Sequence, residues 1–169
     1  MPLSSDAFEG KTQNRINLLA EMEKQFDEKN IRFFEDLLNH EDNVIRTRAV
    51  CILAYIAGEK AIAPIGLVLK NDKNALVRHE AAFSLGQLGF NNGIGPLTEA
   101  VSSDPSFFVR HEAAVALGVI GSEDAREILV KALNDESEEV RESAIIALVN
   151  LDYLSKTSNN NEFTKLTGG

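Results

Sequence analysis

Val77-Arg78-His79-Glu80-Ala81-Ala82 recurs as Val109-Arg110-His111-Glu112-Ala113-Ala114, and this self-match decides the fold. Weaker copies flank it: Val44-Ile45-Arg46-Thr47-Arg48-Ala49 before, and Val140-Arg141-Glu142-Ser143-Ala144 after. With Arg46, Arg78, Arg110 and Arg141 as anchors, the spacings are 32, 32 and 31 residues. A period of this length is the signature of stacked supersecondary units, each unable to bury its apolar face alone. The third, seventh and tenth positions after each anchor read Ala49, Leu53, Ile56; Ala81, Leu85, Leu88; Ala113, Leu117, Ile120; and Ala144, Leu148, Leu151. That is helical spacing. Gly58, Gly89 and Gly121 stand where each first helix should end in a left-handed cap.

A second helix is expected in each unit, carrying Ile62, Ile65 and Leu69, then Ile94, Leu97 and Val101, then Ile128, Leu129 and Leu133. Pro64 and Pro96 fall in first turns, where a missing N–H is harmless. Asn74, Ser106 and Ser137 stand where the next helices need caps. Counting back from Arg46 reaches Arg15, with Leu18, Leu19 and Met22 behind it and Ile31, Phe34 and Leu38 in a second helix, so a degenerate first repeat is expected. The fold class is all-α: an α-solenoid of about four helical hairpins plus a final helix. The expected domain covers 1–154, with repeats near 14–42, 43–74, 75–106 and 107–137, a final helix over 138–154 and a mobile tail over 155–169.

The 169 residues suit one domain, and 44% hydrophobic with 25% charged residues describes an ordinary globular chain. No run approaches about 18 unbroken apolar residues and no leader is read at the N-terminus, so no membrane association and a cytoplasmic location are expected. A net charge of −9 repels phosphate backbones and disfavours nucleic acid as a partner, while remaining compatible with a cationic substrate or basic partner. Cys51 is the only cysteine, excludes an internal disulfide and reads as a buried structural thiol.

Solenoid packing needs the alanines, leucines and glycines, but not histidine followed by glutamate. At those two positions the other repeats carry Ile16-Asn17, Thr47-Arg48 and Glu142-Ser143. Equivalent positions on successive first helices lie side by side at roughly 8–10 Å, the separation of packed helices. His79 and His111 therefore form a candidate ligand pair, since imidazoles bind metals at about 2.0–2.2 Å. Adjacent helical residues point about 100° apart, so Glu80 must look elsewhere than His79. Two copies facing each other would assemble four histidines and four glutamates, and a 2-His-1-carboxylate set suits non-haem iron. Imidazole and carboxylate also suit zinc and manganese. His40 has no adjacent glutamate and reads as a surface residue. The recurring arginines read as ion-pair partners of Asp72, Asp104 and Asp135, and Phe107 and Phe108 as packing or interface residues. No activated Ser or Cys and no glycine-rich phosphate loop is present.

From about Arg46 through Leu154, and most closely over Ala75–Leu88 and Phe108–Gly121, the sequence resembles one half of deoxyhypusine hydroxylase, an enzyme built from two halves of HEAT repeats. The resemblance implies that His79, Glu80, His111 and Glu112 are metal ligands. It implies two irons per dimer that activate oxygen to hydroxylate a modified lysine on a translation factor, making the protein an iron-dependent hydroxylase. Because only one half is read here, a homodimer would be needed to restore the full set. The repeats also resemble phycobilin lyase subunits and metal-free HEAT adaptors. The alternative is therefore a scaffold for a protein partner.

Overall fold

The computed structural model describes residues 5–157, with side chains described from residue 10. The described chain is helical throughout, in the order α1 (Ser5–Asp27), α2 (Ile31–Leu37), α3 (Asn43–Ala57), α4 (Ile62–Asn71), α5 (Ala75–Leu88), α6 (Ile94–Ser103), α7 (Phe107–Ile120), α8 (Arg126–Ala132) and α9 (Glu138–Lys156). It is an all-α solenoid. The odd-numbered helices pack side by side as one layer, and α4, α6 and α8 line up as the other. Each second helix packs most extensively against the first helix of the following hairpin. The hairpins are thereby locked into a continuous stack rather than standing as separate pairs.

The helical period places its residues as expected. Ala49, Leu53, Ala81, Leu85, Ala113, Leu117, Ala144 and Leu151 are buried, as are Ile65, Leu69, Leu97 and Leu129 of the second helices. Met22, Phe34 and Leu38 carry the same core into the degenerate first hairpin. Gly89 and Gly121 take the expected left-handed cap, whereas Gly58, with φ 56° and ψ −130°, does not; each of the three donates its N–H to the carbonyl four residues back. Residues Asn43–Asn71 are apolar and long enough to span a bilayer by composition alone. Gly58 divides that run, however, and the buried Ile45, Leu53, Ile65 and Leu69 belong to the solenoid core.

Two glycines inside helices do a different job. A Cβ on Gly86 would meet Ala116 Cβ and Cα at 2.8 and 2.9 Å, and one on Gly118 would meet Ala147 Cα and Cβ at 2.8 Å. The first-layer helices α5, α7 and α9 thus approach too closely at these points for any side chain. We expect Gly118→Val to destabilise the chain by about 1–3 kcal/mol through overpacking. Gly95, with nothing within 4 Å of its Cβ direction, should accept Ala without loss. Urea denaturation of both variants checks the contrast.

The anchor arginines build a ladder through the turns. Arg46 donates through Nε and Nη2 to Asp72 at 2.6 and 2.9 Å, Arg78 to Asp104 at 2.7 and 2.9 Å, and Arg110 to Asp135 at 2.8 and 2.9 Å. Arg15 reaches Asp42 in the same way. The rungs are also joined lengthwise. Arg78, Arg110 and Arg141 donate through Nη1 to the carbonyls of Asp72, Asp104 and Asp135. The guanidiniums of Arg15 and Arg110 hold Asp42 and Asp135 below the usual carboxylate range. At Asp72 burial acts in the opposite direction, but the bonds from Arg46 and from the Asn74 N–H outweigh it.

Several expectations are corrected. α1 starts at Ser5 rather than near 14, and α9 runs to Lys156, two residues past the expected end. The part of the expected tail from 158 onward lies outside the described residues. Asn74 caps α5 through the Leu76 N–H, but Ser106 and Ser137 make no side-chain cap. Asp104 and Asp135 instead accept the Ser106 and Ser137 N–H groups, so the aspartate that holds the arginine also shapes the turn. His40 is half-buried, and its Nδ1 accepts the Asp42 N–H.

Candidate metal centre

The four predicted site residues sit in the second turns of α5 and α7, but they do not meet as equivalent pairs. His79 Nε2 lies 3.3 Å from Glu112 Oε2. Glu80 Oε1 accepts a hydrogen bond from Cys51 Sγ at 2.9 Å, and His111 Nδ1 lies 2.7 Å from Ser143 Oγ. The rule is diagonal. The residue after each anchor arginine leans toward the next first helix, and the residue after that leans back toward the preceding one, as their 100° angular separation allows. Two His-Glu motifs thus produce one His79–Glu112 pair across the α5–α7 interface, with Glu80 and His111 on its flanks. The structure joins His79 to Glu112 rather than to His111.

The central pair is well supported. The Phe108 ring stacks on the His79 imidazole with centroids 4.0 Å apart and planes 9° apart, which fixes the imidazole plane. Phe108 is therefore neither core packing nor simply an interface residue. The Glu112 side chain is 12% exposed, and no Lys or Arg among the described residues lies within ion-pair distance of it. Buried carboxylates are ordinarily paired with cations or bound to metals. His79 Nδ1 is also buried and lacks a hydrogen-bond partner.

The donor set fits a cation in part. Two donors each about 2.0–2.2 Å from one ion lie roughly 3–3.5 Å apart at right or tetrahedral angles, so 3.3 Å is a ligand-to-ligand spacing. Among the described residues, however, no group of three His, Cys, Asp or Glu side chains is placed to hold an ion. One chain contributes two clear donors and two flanking ones. The surface clefts point elsewhere: one is lined by Glu35, Leu38, His40, Pro64, Leu67 and Asp72, another by Arg78, Pro96, Glu99 and Asp104, and neither contains a residue of the His-Glu set. Donor chemistry is the better guide here, because an open face becomes a site once a second surface covers it.

Cys51 departs from its expected burial. It is exposed on α3. Local desolvation of the sulfur, together with the Glu80 carboxylate it bonds to, pushes its thiol up to about 12. It is thus a protonated donor that orients Glu80 and a poor nucleophile. Ser143 and Phe108 were legible as neighbours only through the diagonal offset, since each lies one repeat beyond the histidine it serves.

The profile of the HEAT repeats matches residues 62–149, more than half of the chain. The chain belongs to the HEAT-repeat family. Among solved structures, this HEAT-repeat chain is similar to human deoxyhypusine hydroxylase in complex with glycerol, with 29% identity and a TM-score of 0.71 over 83% of the chain. It spans about half of that enzyme, covering 49% of its length. No curated protein matches it.

Proposed function

We propose that this chain is one half of a shared dinuclear non-haem iron site, completed by a second copy, and that the dimer is an oxygen-activating hydroxylase similar to deoxyhypusine hydroxylase. The observation that carries the reading is the His79–Glu112 pair, a buried carboxylate facing an imidazole at ligand spacing with no Lys or Arg among the described residues at ion-pair distance. The half-length similarity to deoxyhypusine hydroxylase supports it. His79 and Glu112 would hold the ion, with His111 and Glu80 as the flanking donors available to complete two sites in a dimer. Iron bound there would supply the oxygen chemistry of 2-His-1-carboxylate centres. Phe108 keeps the His79 ring in plane, and Cys51 holds Glu80 through its thiol proton. The net charge of −9 favours approach of a cationic protein side chain as substrate.

A second reading rests on a separate observation. Leu76, Phe83 and Phe107 are exposed on α5 and α7, the helices that carry the motifs. A metal-free scaffold would use such a face for a protein partner.

Iron content per chain and native mass, measured together on protein prepared with iron, test the proposal. About one iron per chain in a dimer is the expected result for a site of this ligand class. A metal-free monomer that takes up no iron on reconstitution would overturn it and leave the scaffold.

A further inference from the structure

The two histidines are held differently, and the difference concerns which nitrogen carries the proton. His79 faces a carboxylate and an aromatic ring. His111 faces a hydroxyl: its Nδ1 is 2.7 Å from Ser143 Oγ, and that same oxygen is 2.7 Å from the carbonyl of Glu139, one turn back on α9. Ser143 is buried, at 3% exposure, so its hydroxyl has little access to water. A serine hydroxyl has one proton to give. If it goes to His111, the short contact with Glu139 is left without a hydrogen. If it goes to Glu139, the serine oxygen is free to accept Nδ1–H, and both contacts are hydrogen bonds. Only the second arrangement uses both, and a buried acceptor left without a hydrogen is costly.

We infer that Ser143 is a positioning residue: its hydroxyl accepts the Nδ1 proton of His111 and leaves Nε2 as the nitrogen with the free lone pair. This inference rests on the metal-site reading for its purpose, though not for its geometry. A ligating histidine commonly has its other nitrogen committed as a donor to a neighbouring acceptor, which sets tautomer and ring orientation. At the equivalent position of the preceding repeat stands Glu112, which is turned toward His79. The two positions thus differ, one presenting a carboxylate to its histidine and the other a hydroxyl.

The test uses full-length protein with labelled imidazole nitrogens, free of metal and at a pH where histidine is neutral. The chain has three histidines, so single variants assign the signals. Long-range proton–nitrogen correlation should show the His111 proton on Nδ1 in the wild type. In Ser143→Ala it should move to Nε2, the nitrogen protonated in a free neutral side chain. Ser143→Thr, which keeps the hydroxyl, should restore the Nδ1 proton. Iron affinity should fall by about 10–100-fold in Ser143→Ala. A wild type already protonated at Nε2, or a tautomer unmoved in Ser143→Ala, overturns the inference. A tautomer that moves as expected in a protein that takes up no iron upholds the positioning role and overturns only the metal reading.

Discussion

Arg78→Ala is expected to destabilise the fold by about 3–5 kcal/mol, because it leaves a buried carboxylate without its cation. Asp104 is 5% exposed in its side chain and Arg78 10%. Arg78 makes two bonds to Asp104 and a third, at 2.8 Å, to the carbonyl of Asp72, so it ties two successive turns together. Arg141 provides the control. It occupies the same repeat position and bonds to the carbonyls of Asp135 and Glu136, but no carboxylate among the described residues forms an ion pair with it. Arg141→Ala should therefore cost only about 2 kcal/mol, the worth of its two hydrogen bonds to carbonyls. Replacing both Arg78 and Asp104 by apolar residues of similar size should recover much of the loss, since the charged pair itself is close to neutral against such a replacement. Equal and small losses for Arg78→Ala and Arg141→Ala in urea denaturation would remove the ladder as a stabilising device.

The second large effect concerns metal uptake. His79→Ala should lower iron affinity by at least about 100-fold, more than loss of an outer-shell partner does. His79 is the more exposing test of the two histidines because it belongs to the pair already at ligand spacing, and because its removal also releases Phe108. Glu112→Gln should have a similar effect while leaving the packing of α5 on α7 intact. His40→Ala serves as the reference, since His40 sits in the turn before α3 and bonds to Asp42. Iron titration of the three variants separates the readings. Uptake that is unchanged in His79→Ala and Glu112→Gln would place any bound iron elsewhere and return the His-Glu motifs to a surface role.

Much of the fold was legible because the signals were local and repeated. Ala81 and Leu85, like Ala113 and Leu117, lie on the buried stripe that their spacing required, and Gly89 and Gly121 take the left-handed conformation that only glycine adopts readily. The ladder could be read as well, since Arg46, Arg78 and Arg110 precede Asp72, Asp104 and Asp135 by 26, 26 and 25 residues along the chain. Cys51 was misread because an apolar neighbourhood in sequence does not say which face of a helix a residue occupies. In the structure it lies on the exposed face of α3, beside Glu80. Gly86 and Gly118 passed unremarked for a related reason: a helix tolerates glycine poorly, and only the close approach of Ala116 and Ala147 explains their presence.

The sequence by itself determined that the chain is a stack of helical hairpins, that α3, α5 and α7 stop at glycines, and that two of the hairpins carry a dipeptide their packing does not require. Those are properties of spacing along one chain, and helical periodicity converts spacing into faces without further information. What only the tertiary structure decided is which members of the two motifs meet. Each first helix has a neighbour on either side, and residues 100° apart on it look toward different neighbours. Hence His79 meets Glu112, while Glu80 turns back to Cys51 and His111 forward to Ser143, a pairing fixed by the lateral offset between stacked helices rather than by any residue's own position.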